Sequence, residues 1–159
     1  MDIHSLHNVL IILHAASATI AFFAGGLLIF SPTYRLNPRL FSLYWWTLVS
    51  MVVLLAGAIV AYWTEYSSIE RSIFPALLGL GIYMLYSARN ADHLHRAAQN
   101  NWEHGYIESI GFTIISLFEG FIIVGGLNSG IPGWLVAVAA VLGVIAGRWV
   151  IRLAKQRAG

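Results

Sequence analysis

Cysteine is absent from this 159-residue chain. That single absence removes disulfides, thiolate metal sites, iron–sulfur clusters and covalent c-type haem attachment together. Charge is scarce as well: Asp, Glu, Lys and Arg make up 10% of the residues, where a soluble domain carries roughly 25%. The net charge is only +2, and the basic residues sit at the borders of apolar runs. No basic patch forms, so nucleic acid is excluded as a partner. Catalytic signatures are missing too: there is no G-x-S-x-G, no H-E-x-x-H and no phosphate-binding glycine loop, and the chain is not read as an enzyme on its own.

What is abundant is apolar. Hydrophobic residues make up 58% of the chain, more than one small globular core can hide, and lipid is the alternative solvent. A bilayer core of ~30 Å takes about 20 helical residues to cross. Five apolar segments stand out: about Asn8–Phe30, Leu40–Trp63, Ile73–Ala88, Tyr106–Leu127 and Pro132–Ile151. They use nearly the whole chain and predict one all-α domain, a polytopic bundle of five transmembrane helices. The first run is too long for the apolar core of a signal peptide and follows acidic Asp2, so it reads as a retained helix. The third is the shortest and holds Pro75 near its start, where a missing N–H is tolerated.

The loops predict orientation. Arg35 and Arg39 lie between the first two segments, Arg89 and Arg96 between the third and fourth, and Arg148, Arg152, Lys155 and Arg157 close the chain. Alternate loops thus hold eight of the nine basic residues, with Arg71 the exception. The positive-inside rule places that side in the cytoplasm and the N-terminus outside, as a multi-pass protein of the plasma membrane. Tyr44, Trp45 and Trp46 at one border, and Tyr62, Trp63 and Tyr66 at the other, fit an aromatic belt. A ligand-stacking platform is the sharper reading of Trp45-Trp46. Ser17, Ala21 and Gly25, then Ala139, Gly143 and Gly147, repeat small residues at four-residue spacing, which lets helices approach closely. Packing within the bundle and a homodimer seam both use that pattern.

Ionisable side chains inside hydrocarbon are costly and mark functional sites by default. His14 lies ~9 Å below the outer border of the first helix and Glu119 ~12 Å below that of the fourth. At similar depth, an imidazole and a carboxyl can share a proton if their helices are neighbours. The expectation is therefore a His14/Glu119 site for a small ligand or a proton relay, or else a polar pair that only pins two helices. His104 and Glu108 open the fourth helix on nearly the face of Glu119, as one lip of a cytoplasmic vestibule or as an interfacial capping cluster. His4 and His7, at H-x-x-H spacing, are candidate metal ligands at the outer entrance; the plainer reading is a solvated helix start. The small residues Ala15–Ala18 beside His14 leave room for a flat macrocycle, so haem b or a pigment on His14 is the rival reading, in a redox or photosynthetic complex. The remaining histidines, His93, His95 and His104, lie at the opposite face and cannot supply a second axial ligand from the same chain. A purely structural accessory subunit is the third reading. The partners expected are the bilayer and either a second copy or a larger membrane assembly.

The turn Arg35-Leu36-Asn37-Pro38-Arg39-Leu40 and the loop Asp92–Trp102 resemble a family of uncharacterised bacterial multi-pass proteins, domain of unknown function 2306. An early helical histidine followed by small residues, as at His14 and Ala15–Ala18, belongs to the same likeness, which spans about Ile11 to Phe118. Phe41 stands where that family tends to carry histidine, which counts against a haem or metal role carried over. The resemblance implies a membrane bundle and no particular activity.

Overall fold

A computed structural model describes residues 3–35, 37–68, 70–97 and 102–156. Its elements are α1 (Ile3–Phe30), α2 (Pro32–Arg35), α3 (Pro38–Tyr62), α4 (Glu70–Ala97), α5 (Trp102–Asn128) and α6 (Gly133–Gln156). Asp2, Leu36, residues 98–101 of the polar connection, and Arg157 lie outside the described residues. The protein is all-helical among the residues described, and four of its helices, α1, α3, α5 and α6, are long and apolar enough to cross a membrane.

Local chemistry explains where these helices start and stop. Asn37 holds an extended backbone (φ −83°, ψ 107°), and its side-chain oxygen accepts from the N–H groups of Arg39 at 3.0 Å and Leu40 at 3.3 Å. Pro38 follows as the first helical residue, where its fixed φ suits a helix start. α4 is entered through a capping box. Glu70 accepts from the backbone N–H and the hydroxyl of Ser67 at 2.8 and 2.7 Å, and the Ser67 hydroxyl lies 3.4 Å from the Glu70 N–H. α5 ends where Gly130 takes φ +72°, which lets the Ile131 N–H reach back to the Gly126 carbonyl at 3.1 Å.

Two elements differ from expectation. α4 covers Glu70–Ala97 rather than 73–88, so most of the polar Arg89–Glu103 connection is helical. Its apolar residues occupy only the middle, with Glu70 and Arg71 at one end and Arg89 to Arg96 at the other. Hydrophobicity marks where lipid begins and ends, whereas helical hydrogen bonding continues through the polar turns beyond. Pro75 consequently sits inside the helix. The second difference is Pro32–Arg35, which forms a helical turn of its own.

α1, α3, α4 and α5 form a closed ring in which α1 packs on α3 and α5, and α4 packs on the same two. α6 packs chiefly on α5. The ring encloses a core of Leu28 and Ala21 from α1, Tyr44 and Leu48 from α3, Ala88 from α4, and Ile107 and Ile110 from α5. The small residues serve this packing. A Cβ on Gly25 would meet Tyr44 and Ile114 at 3.1 Å, and one on Gly147 would meet Ile115 at 2.6 Å. Ile151 fills the space left by Gly111, and Val136 that left by Gly126. α5 and α6 are therefore antiparallel, meshed along a row of glycines.

Candidate functional site

His14 is half-buried on α1, where its Nδ1 lies 2.8 Å from the Met51 carbonyl of α3. A carbonyl only accepts, so Nδ1 carries the hydrogen and a neutral imidazole keeps its lone pair on Nε2. His7, one heptad earlier, places Nδ1 3.3 Å from the Ala58 carbonyl, one heptad later on α3. The two histidines thus repeat one contact along an antiparallel seam. His7 also stacks on Tyr62, with centroids 4.4 Å apart and planes at 26°. His4 shares a hydrogen bond with the Tyr62 hydroxyl at 3.1 Å. His4 and His7 are both tied into an aromatic cluster with Tyr62 and Tyr66. No group of three or more His, Asp or Glu side chains placed to hold a metal ion gathers among the described residues.

Glu119 lies on another seam. It is 9% exposed on α5 and faces Gly143 of α6, where a Cβ would run into its Oε1 and approach Phe118 at 3.2 Å. Neither carboxyl oxygen has a hydrogen-bond partner among the described residues. The expected contact between His14 and Glu119 is therefore not formed. α1 and α5 do touch, but through Phe22 against Phe118 and Phe121, and Gly25 against Ile114. His14 is directed to α3, at Met51, and Glu119 to α6, at Gly143.

Glu108 shares the α6-facing stripe with Glu119, as its spacing predicted. That stripe faces a helix rather than a vestibule. Glu108 is exposed and pairs with Lys155 of α6 at 2.7 Å, closing the seam at its polar end. His104 is half-buried in the first turn of α5. Thr113 donates to the Ile110 carbonyl of its own helix at 2.7 Å, as expected of an intramembrane threonine, and also bonds the hydroxyl of buried Tyr44.

In the sequence Arg35 served as a topology marker and as part of a family likeness, not as a site residue. It is 7% exposed: one guanidinium nitrogen donates to Glu103 at 2.9 Å, and another to the Ile29 carbonyl at 3.0 Å. The available signal was two helix starts close together, at Ser31-Pro32 and Asn37-Pro38, which fold the intervening segment back against the bundle. The Trp45-Trp46 pair also divides: Trp46 is 62% exposed in the manner of a belt residue, while Trp45 is half-buried.

Fold and surface together define a small helical membrane protein. Compared with models of known families, with curated proteins and with solved structures, the chain matches none. The likeness at Arg35–Leu40, Asp92–Trp102 and His14–Ala18 therefore gains no support from these comparisons.

Proposed function

We propose that the chain is a five-span plasma-membrane protein, N-terminus outside and C-terminus in the cytoplasm, whose α5–α6 seam carries an exchangeable proton on Glu119. The fifth span would be α4. It runs antiparallel to both ring neighbours: Gly81 lies against Val52 of α3, while Ser87 donates to the Ser109 carbonyl of α5 at 3.1 Å and Leu94 fills the space at Gly105. A helix wedged between two crossing helices along its middle crosses with them. With five spans, eight of the nine basic residues fall on one side.

One observation carries the functional reading: a carboxyl 9% exposed, with neither oxygen partnered among the described residues. A carboxylate ion in that setting would cost several kcal/mol without a counter-charge, while the neutral acid costs far less. A group so placed takes up and gives back a proton, or does nothing that leucine could not do better. Because α6 is held chiefly by α5, this seam lies open to lipid, which lets an apolar reagent approach the carboxyl. A lipophilic carbodiimide, which attacks protonated carboxyls in apolar surroundings, tests the reading. We expect a single adduct, located on Glu119, whose yield falls as pH rises and which Glu119→Gln abolishes. No labelling at any pH would defeat it. Reporter fusions test the topology: a periplasmic reporter is active in the Thr64–Ser68 loop and silent at the C-terminus. Termini on the same side would remove the fifth span.

A second reading has its own support. Histidines that ligate a metal usually donate their other ring N–H to a carbonyl or carboxylate, as His14 does to Met51. His14 would then bind a haem or pigment through Nε2, with the other axial ligand from a second copy or another subunit. A Soret or pigment band that disappears in His14→Ala would favour it over the proton site.

A further inference from the structure

A cavity of about 780 Å³ opens at the basic end of the ring, between α2, α3, α4 and α5. Its walls include Arg35, Arg89, Arg96, Phe41, Trp45 and Tyr106. Of these, Arg35 is 7% and Tyr106 1% exposed, and among the described residues neither the Arg35 Nε–H nor the Tyr106 hydroxyl has a partner. Both residues line the cavity, while the two unpartnered donor atoms are themselves buried. Leaving buried donors unmade is unfavourable, and an acceptor-rich guest that draws these side chains toward the cavity would restore the bonds. Charge points the same way. Asp92 offsets Arg96 at 2.9 Å and Glu103 offsets Arg35, which leaves Arg89 without a salt bridge among the described residues. His93 and His95 lie on the same wall and add positive charge only when protonated.

We propose that this cavity binds the phosphate of an anionic lipid headgroup. A planar guanidinium matches phosphate oxygens through paired N–H donors, and the phenol hydroxyl supplies one more. The volume falls in the range of small-ligand sites. Basic pockets between helices at a membrane border suit lipid headgroups, because the acyl chains can stay in the bilayer. Here Phe41 and Trp45 form the apolar side of the cavity, and neighbouring Leu43 and Trp46, 49% and 62% exposed, mark the level of lipid on the same helix. This site is independent of Glu119, and neither reading depends on the other.

Native mass spectrometry of the full chain in non-ionic detergent tests the proposal, with phosphatidylglycerol, phosphatidylcholine and inorganic phosphate as probes. One phosphatidylglycerol should stay bound per chain where phosphatidylcholine does not. Arg89→Gln with Arg96→Gln should weaken it by about fivefold for each charge removed, and Trp46→Ala, outside the cavity, should leave it unchanged. Arg35→Gln should abolish binding; because Arg35 also ties α2 to α5, the exposed Arg89/Arg96 pair decides the matter if that variant does not fold. Persistence of the lipid in excess inorganic phosphate assigns the site to lipid. Displacement by it upholds the phosphate site and assigns it to a soluble ester. Equal retention of the two lipids, or retention unaffected in the Arg89/Arg96 variant, overturns the proposal.

Discussion

Two antiparallel seams in this bundle treat their polar residues in opposite ways. Between α1 and α3, His7 and His14 each place an imidazole N–H on a carbonyl of the facing helix. Between α5 and α6, glycines bring the helices together, and the one ionisable side chain at depth, Glu119, bonds to nothing among the described residues. The first seam shows how a membrane helix can carry a polar residue cheaply: the partner carbonyl is already present in the neighbouring backbone and only shares a lone pair. The second retains a group that packing alone would replace with leucine. This contrast moves the functional weight from a His14/Glu119 pair to Glu119 by itself.

The contrast can be broken at its strongest point first. Gly143→Leu pushes a side chain into Glu119 and Phe118, and should destabilise the detergent-solubilised protein by roughly 1–3 kcal/mol, or detach α6. Thermal unfolding with a cleavage assay on α6 reads both outcomes. Glu119→Met, similar in size and needing no partner, should leave stability unchanged or raise it by about 1 kcal/mol while removing carbodiimide labelling. A loss of 2 kcal/mol or more, roughly what stranding a real partner costs, would reveal a bond absent from the present geometry. His14→Ala should cost about 0.6–2 kcal/mol, the span measured for interhelical hydrogen bonds in membranes. Combining His14→Ala with Glu119→Met should give effects additive within about 0.5 kcal/mol, whereas a paired site predicts strong coupling.

The smallest effect lies outside both seams. The Ser67 hydroxyl, and then its backbone N–H, hold the Glu70 carboxyl below its ordinary value of 4.5. A lowered folded value stabilises the native state above the unfolded pKa, and that contribution is lost as pH falls through the folded one. Ser67→Ala should flatten this acid limb in a stability-against-pH profile and leave the neutral plateau lower by about 1 kcal/mol for the lost cap. Identical acid limbs would show that the capping box contributes nothing there.

Much of the fold was legible because lipid imposes a simple requirement: apolar runs near 20 residues long mark four helices that the structure also finds. α4 was under-read, since its polar ends signal the end of hydrocarbon rather than the end of the helix. The hydrogen bonds between Ser67 and Glu70 open it before the apolar run begins. The glycine row on α6 was legible as a packing seam, yet which helix it met was not. The site was read only in part. His14 and Glu119 stood out because ionisable residues at depth are rare, but which neighbour each faces depends on rotation about helix axes that spacing along one helix cannot fix. Arg35 was hidden for a different reason. A border arginine looks the same in sequence whether it reaches water or folds back beneath a short helical turn.

The account turns most directly on the state of one carboxyl. Infrared difference spectroscopy of the reconstituted protein across a pH titration should show a protonated-carboxyl stretch that is absent in Glu119→Gln and unmoved in His14→Ala. A band that shifts in His14→Ala, or the lack of any band removed by Glu119→Gln, would contradict an unpaired, proton-carrying Glu119.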